Sequence, residues 1–384
     1  MNLSSAQRPV LVLGGGIHQG HAEKEARELV DLLQIPVALT WAAADLLPES
    51  SPYRIGTFGT HGTRAANFAV QNADFILSIG ARLDTKATGT PAKWFAREAH
   101  IVMVDIDQAE LDKMEKVGVK VTPVCMDAKR YIAQFGVGHG PCNVPEWVAK
   151  CQDWKARYPA VLPEYEKEPG VNPYVLIREL SRLCEPGDVI VSDTGCALAW
   201  TCQAFEFKEG QRLLHPFNQT PMGYGLPGAI GAHYATGKRV ICITGDGSIQ
   251  MAIAELSTIA GHNLPIKIVL LDNKGHAMCR QTQREWLGAT YPSTSIEGGL
   301  RFPYFENCAK GFGVPAIRCG QGMVLPKHEL QAVMQFVGQT MAIFDISPDA
   351  DVIPKAKFGA PNEDQYPHLP RDVLAKEMIV GAPT

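Results

Sequence analysis

The sequence predicts an α/β protein built from two doubly wound parallel-sheet domains, and three features of the 384-residue chain carry that prediction. Residues 9–135 alternate short apolar runs with stretches of helical spacing. Residues 136–173 change to Gly, Pro, Trp and mixed charge, which reads as a connection. From about residue 172 the alternation resumes and includes a complete strand-helix-strand unit between Arg239 and Asn273. The resulting division is a first domain at 1–136, a linker at 137–171 and a second domain at 172–384.

In the first domain, Pro9–Leu13 is a wholly apolar run that enters Gly14-Gly15-Gly16, a strand followed by a tight turn. A helix is expected around 22–33, with strands at 37–39, 75–79 and 101–105. The triple glycine is not a GxGxxG pattern, since Gly14, Gly16 and Gly20 lack its spacing. Within the connection a short helical piece is expected near Trp147–Tyr158. The closing segment from Asp345 onward, rich in Pro and charge, is expected to wrap the surface of the second domain.

The second domain holds the most informative stretch. An apolar run from Val240 ends at Gly245-Asp246-Gly247-Ser248, and Ile249, Ile253, Leu256 and Ile259 then recur at roughly helical spacing until Pro265 resets the chain into Ile266–Asp272. In a parallel sheet both strands end on one edge, so Asp246 and Asn273 are expected to face one crevice there, exposed to solvent and ligand. Two oxygen-bearing side chains suit a hard cation such as Mg²⁺, which keeps few protein ligands and adds phosphate oxygens and water. The helix opening at Gly247 and Ser248 would offer free N–H groups to a diphosphate.

Composition narrows the partners. A net charge of -4 gives no reason to expect nucleic acid or an anionic membrane, and no basic-plus-apolar leader or bilayer-length apolar run is visible. The expectation is a soluble, cytoplasmic protein. Ten cysteines are scattered singly without a CxxC pair, which favours reduced thiols over zinc or disulfides.

A GDG turn, a helix and then Asn at the end of the next strand resembles the diphosphate-binding motif of thiamine diphosphate (ThDP) enzymes. Further stretches resemble the acetohydroxyacid synthase (acetolactate synthase) large-subunit family within that group. Asn218–Gly231 looks like the loop and helix whose methionine, here Met222, props the cofactor into a bent form that brings its 4′-amino group beside thiazolium C2. Asn273–Met278 resembles the loop in which a carbonyl, here that of Gly275, completes the Mg²⁺ ligands Asp246 and Asn273. The resemblance puts Met278 at the active-site border and His276 within reach of diphosphate or substrate. Ser192–Trp200 looks like the segment that approaches the cofactor from the opposite side through Gly195. With Gly245, Gly247 and Ser248, these residues form the implied ThDP site.

Three departures bear on the site, those at 196 and 197 on polar contacts to the cofactor and that at 282 on the acceptor. Cys196 and Ala197 stand where the family commonly has Gln and His, and Thr282 stands where it has a Trp that favours 2-oxobutyrate. The strings Arg280–Gln283 and Asn362–Pro370 look more like synthase relatives of polysaccharide pathways that transfer an acetyl unit to a ketosugar. The acceptor pocket is therefore expected to be rebuilt.

The first domain resembles, in order, the FAD-contacting stretches of the family's central domain. Gly14, Gly15, Gly16, His61, Arg82, Asp84, Asp105 and Asp127 are the implied contacts, with Arg82 offering a bidentate fork to phosphate and the aspartates accepting from ribose or adenine. Lys86 replaces an Arg common there. Relatives use this domain for FAD, for ADP or for nothing.

The resemblance runs from Arg8 to about Met378 and covers two-thirds of the family's architecture. The family's pyrimidine-binding domain, with the glutamate that protonates the aminopyrimidine, has no counterpart in these residues. A separate chain supplying that domain in an α2β2 assembly is expected, with a naturally split enzyme preferred over truncation. The implied activity is decarboxylation of a 2-oxo acid, most simply pyruvate, with transfer of the acyl carbanion equivalent to a carbonyl acceptor. Simple decarboxylation and a non-catalytic scaffold are the rival expectations.

Overall fold

The computed structural model describes residues 3–320, 322 and 324–383. Met1 and Thr384, the outer limits of the expected domains, lie outside the described residues. The chain divides into two compact units, Met1–Ala160 with Ile353–Thr384, and Val161–Val352.

The first unit is built on six parallel strands, β1 (Pro9–Leu13), β2 (Val37–Leu39), β3 (Arg54–Thr57), β4 (Phe75–Ile79), β5 (His100–Asp105) and β6 (Val121–Cys125), in the order β3-β2-β1-β4-β5-β6. β1 and β4 are apolar throughout except for Ser78 and wholly buried, as strands covered on both faces must be. The expected helix appears at Glu23–Leu33. The two outer strands escaped the sequence reading for physical reasons. β3 begins on Arg54 and contains Gly56, and β6 is an edge strand, largely exposed, that carries Pro123 in its middle.

Two expected boundaries are corrected. The helix Pro145–Arg157 is part of the first unit and not a linker element: Trp147, Cys151 and Trp154 are buried in its core, and the Trp147 indole donates to the Pro9 carbonyl at 3.0 Å. The closing segment from Ile353 onward also belongs to this unit, and only its first residues, up to Val352, stay with the second. Its Glu377 carboxylate accepts from Trp154 Nε1, Tyr158 Oη and Arg157, and Asn72 Oδ1 accepts the Ile379 and Val380 N–H groups. The string at Asn362 is buried there as well: Asn362 Nδ2 donates to the Ala87 carbonyl and Gln365 Nε2 to that of Gly62. Those residues hold the segment down, which accounts for their identity without a substrate.

The second unit repeats the architecture with β7 (Val189–Ser192), β8 (Arg212–Leu214), β9 (Val240–Gly245), β10 (Ile266–Asp272), β11 (Ala316–Cys319) and β12 (Thr340–Asp345). All are parallel, in the order β11-β12-β10-β9-β7-β8. β10 is buried at every position. Chain order reverses between β7 and β9, so the carboxyl ends of those strands flank the crevice where open α/β sheets take ligands. Among the described residues no helix is long and apolar enough to cross a membrane, and all ten cysteines are free.

Candidate functional site

The carboxyl ends of β7, β9 and β10 bring the expected ThDP residues of the second unit together. β9 delivers Asp246 and Gly247 at the start of a one-turn helix, Asp246–Gln250, and β10 delivers Asn273 directly after Asp272. Asp246 Oδ2 accepts the Gly275 N–H at 3.1 Å, which closes the loop after β10 onto the end of β9. The turn is possible because Lys274 takes a left-handed φ of 58° and because the position of a Cβ on Gly275 would lie 2.5 Å from the Thr294 carbonyl. His276 N–H donates to that same carbonyl at 3.0 Å and fixes the far side of the turn.

Two expectations are corrected here. Asp246 does not face solvent; it is 1% exposed. The Gly247 N–H is not free either, because it donates to Asp246 Oδ1 at 2.6 Å. Burial, with the neighbouring Asp272 adding to it, pushes the Asp246 carboxyl up to about 7, against the pull of the N–H groups it accepts. Asn273 is also buried, with its Oδ1 lacking a hydrogen-bond partner, and Asp272 Oδ1 is in the same condition. An unmatched amide oxygen beside a buried, destabilised carboxylate is what a divalent cation relieves. Among the described residues no group of three or more His, Cys, Asp or Glu side chains is placed to hold a metal ion. A cation here would draw on Asp246, Asn273, the Gly275 carbonyl and ligand oxygens, a set that suits Mg²⁺.

The remaining residues gather around this pair. A Cβ built on Gly247 would lie 2.4 Å from His276 Cε1 and 3.4 Å from Met222 Cε, so both side chains lean over that glycine. Met222 stays 39% exposed, an unusual condition for a methionine and consistent with a face kept for a ligand. Gly195 has φ 76°, caps the helix Cys196–Ala204 and would bring a Cβ to 4.0 Å from Met278 Cβ. Ser248 is buried and Gly245 opens onto free space. Burial lowers the His276 pKa, which favours the neutral imidazole. Thr282, one turn beyond Met278, is exposed and donates to the Met278 carbonyl at 3.1 Å. Gln281, from the same string, is buried and clasps both the N–H and carbonyl of Val352, a packing role.

One residue of the site was passed over in the sequence: Asp193, at the end of β7, is fully buried beneath the loop that carries Met222. Its signal was a charged residue closing an apolar run in the stretch already singled out for Gly195.

In the first unit the expected flavin residues also collect at a carboxyl edge, but most are engaged by the protein itself. A Cβ on Gly14 would sit 2.2 Å from the Gly80 carbonyl, one on Gly16 2.7 Å from Gly80 Cα, and one on Gly15 2.8 Å from Ala42 Cβ. These glycines therefore let β1 and β4 close together at their ends. Arg82 pairs with Asp84 at 3.0 Å, and Asp84 caps the helix Thr85–Thr88. Asp105 accepts the Asp107 N–H, Asp127 caps the helix Ala128–Phe135, and His61 packs against Trp41 with ring centroids 5.7 Å apart.

Comparison with known proteins agrees with this geometry. Residues 2–135 match the central domain of thiamine pyrophosphate enzymes, and residues 193–342 match their C-terminal TPP binding domain. Acetolactate synthase large subunits are similar over most of the chain: that of Porphyra purpurea is 31% identical over 94% of this chain and 60% of its own length. The Corynebacterium glutamicum large subunit is 33% identical, over 95% and 59%, and the Escherichia coli isozyme 1 large subunit 31%, over 94% and 62%. The chain thus spans about 60% of the length of the curated relatives it matches. With both family domains matched and folded as doubly wound sheets, the chain belongs to the thiamine pyrophosphate enzymes and is similar to the acetolactate synthase large subunits among them.

Proposed function

We propose that this chain is the ThDP- and Mg²⁺-binding component of an acetolactate synthase-like carboligase, which decarboxylates a 2-oxo acid and passes the acyl unit to a carbonyl acceptor. The observation that carries this reading is the convergence of Asp246, Asn273 and the Gly275 turn at the carboxyl ends of β9 and β10, with Met222 leaning over Gly247. ThDP, when bound, supplies the electron sink that lets a 2-oxo acid lose CO₂.

The protein's own residues bind and orient. Asp246, Asn273 and the Gly275 carbonyl would hold the cation, and the cation would offset the buried charge of Asp246 and Asp272. Gly247, lacking a side chain, lets His276 and Met222 close over the diphosphate side. The exposed flank of Met222 would support the bend of the cofactor, with Gly195 and Met278 bordering it from β7 and from the loop after β10. His276, kept neutral by burial, would offer a hydrogen bond without adding charge.

A second chain is proposed to bring the pyrimidine-binding domain and its glutamate to this site, in an α2β2 assembly. FAD is the proposed occupant of the first unit, with pyruvate as the 2-oxo acid. The exposed Thr282 in place of a bulky Trp favours an acceptor larger than a second 2-oxo acid. Calorimetric titration tests the core of the reading: ThDP should bind in the presence of Mg²⁺ and lose affinity on chelation or on Asp246→Ala. Equal binding in all three conditions would overturn it. Product analysis of the completed enzyme with and without an added ketone or aldehyde then separates carboligation from simple decarboxylation.

A further inference from the structure

The loop that carries Met222 has little regular structure of its own, yet Met222 must hold a set height above Gly247. The loop follows β8, passes Thr220 at φ 46° and Gly223 at φ 86°, and enters the helix Gly225–Thr236. What restrains it is one carboxylate. Asp193 Oδ1 accepts the Gly223 N–H at 3.1 Å and the Thr194 N–H at 2.9 Å, while Oδ2 accepts the Gly225 N–H at 3.0 Å and the Thr244 hydroxyl at 3.2 Å. The two loop amides both follow Met222 within three residues. The other two donors belong to the ends of β7 and β9, the strands between which chain order reverses.

Asp193 is 0% exposed, and these contacts come from backbone and hydroxyl groups. A buried carboxylate held in this way is costly unless its acceptor sites are well used, and here each oxygen takes one donor from the loop and one from a strand end. The glycine at 225 supports the same picture independently. A Cβ there would fall 2.9 Å from Asp193 Oδ2 and 3.2 Å from Cys242 Sγ, so the close approach of loop to carboxylate requires glycine. At Gly223 a Cβ would lie 2.6 Å from Met251 Cβ, so the loop directly after Met222 is seated against the residue that follows the helical turn Asp246–Gln250.

We infer that Asp193 is the positioning residue for Met222: it ties the loop to the ends of β7 and β9 and so sets where the methionine meets the ligand. Among the described residues its carboxylate hydrogen bonds go to Thr194, Gly223, Gly225 and Thr244 and not to Asp246, Asn273 or Gly275, so it acts through the loop. Its relevance to catalysis rests on the ThDP reading, whereas its restraint of the loop does not.

Hydrogen exchange on the full chain tests it, with the peptide spanning 215–226 compared against that spanning 272–280. Asp193→Ala should speed exchange at the Gly223 and Gly225 amides about ten-fold or more, the expected consequence of losing hydrogen bonds to a charged acceptor, with little change in 272–280. Asp193→Asn keeps one acceptor oxygen and should release one of the two amides more than the other. Gly225→Ala leaves the carboxylate in place but pushes the loop from it, so the same loop peptide should respond even where Asp193→Ala folds poorly. Unchanged exchange of the loop in all three variants would overturn the inference. So would a uniform rise across both peptides, which marks a merely structural role. With Mg²⁺ and ThDP added, the near-UV dichroism of the bound cofactor should change in Asp193→Ala as it does in Met222→Ala. Failure of the wild-type chain to bind ThDP would remove the functional reading and leave the exchange result standing.

Discussion

Gly247→Ala is the most direct probe of the site, because the structure specifies what the added methyl meets. It would lie 2.4 Å from His276 Cε1 and 2.5 Å from His276 Nδ1, where ordinary contact begins at 3.4 Å, so the ring must retreat by about 1 Å. The His276 backbone cannot follow freely, since its N–H is bonded to the Thr294 carbonyl and the preceding Gly275 N–H to Asp246. The half-buried ring would therefore swing away from Gly247, in the proposed site at the expense of the diphosphate. A side-chain rotation of this size costs about 1 kcal/mol, which at the length of this unit lowers Tm by about 2–4 °C. The penalty on ligand binding should be larger, about ten-fold or more in ThDP affinity at saturating Mg²⁺, because the ring takes volume from the ligand. Calorimetry on four proteins, wild type, Gly247→Ala, His276→Ala and the double variant, isolates the clash as a coupling term. In the His276→Ala background the extra methyl should cost less than about two-fold, since the obstructing ring is gone. An equal penalty in both backgrounds, or no penalty in either, would refute the placement of His276 over Gly247.

Three further outcomes follow, two from the proposed function and one from the structure. The isolated chain should turn over pyruvate negligibly and gain activity, with a shift to a larger species in solution, when mixed with a chain carrying the pyrimidine domain; full turnover alone would make His276 the first group to examine. Incubation with FAD followed by desalting should leave a flavin absorbance if the first unit holds that cofactor, and a colourless product would favour ADP or an empty site without touching the second unit. The Glu377 carboxyl is held down at about 2, chiefly by the Arg157 hydrogen bond and against its burial, from an ordinary value near 4.5. That depressed value contributes stability on the order of 3 kcal/mol above pH ~4.5, which is lost as pH falls toward ~2. Glu377→Gln should accordingly lower Tm at pH 7 and converge with wild type near pH 2, and parallel curves would refute the assignment.

The extent to which this structure is legible in the sequence varies with the kind of signal. Strands buried on both faces read as unbroken apolar runs, so β1, β2, β4 and β10 stand out, as does the motif linking Asp246 to Asn273. Edge strands β3 and β6, diluted by Arg54, Gly56 and Pro123, do not. The destination of the closing segment was illegible for another reason. Pro and charge suggest a solvated wrap, and only tertiary partners such as Asn72, Trp154 and Arg157 reveal that Glu377 and Gln365 are buried against the first unit. Burial of Asp246 was hidden likewise, because a strand-end aspartate reads as exposed until the Gly275 turn folds over it.

The glycines argue most clearly for where the chemistry lies. Both units bring glycines to the carboxyl edge of a parallel sheet, and sequence alone cannot tell a glycine that makes room for a ligand from one that makes room for the protein. The missing side chains answer the question. In the first unit the spaces beside Gly14 and Gly16 are filled by the backbone of Gly80, and the space beside Gly15 by Ala42. In the second unit Gly245 borders open space, Gly195 comes no nearer than 4.0 Å to Met278, and Gly247 lies beneath the movable ends of His276 and Met222. The oxygens of Asn273 and Asp272 that lack hydrogen-bond partners lie at this second edge, at the end of β10. An edge with free volume and unmatched buried oxygens is stabilised by a cation and its phosphate ligand, whereas an edge already closed by its own backbone gains less from an occupant. Of the two proposed cofactor sites, the edge of the second unit is thus the one with volume and oxygens for an occupant, whereas flavin binding to the first unit depends on groups beyond its glycine turn, with Arg82 having to exchange Asp84 for a phosphate.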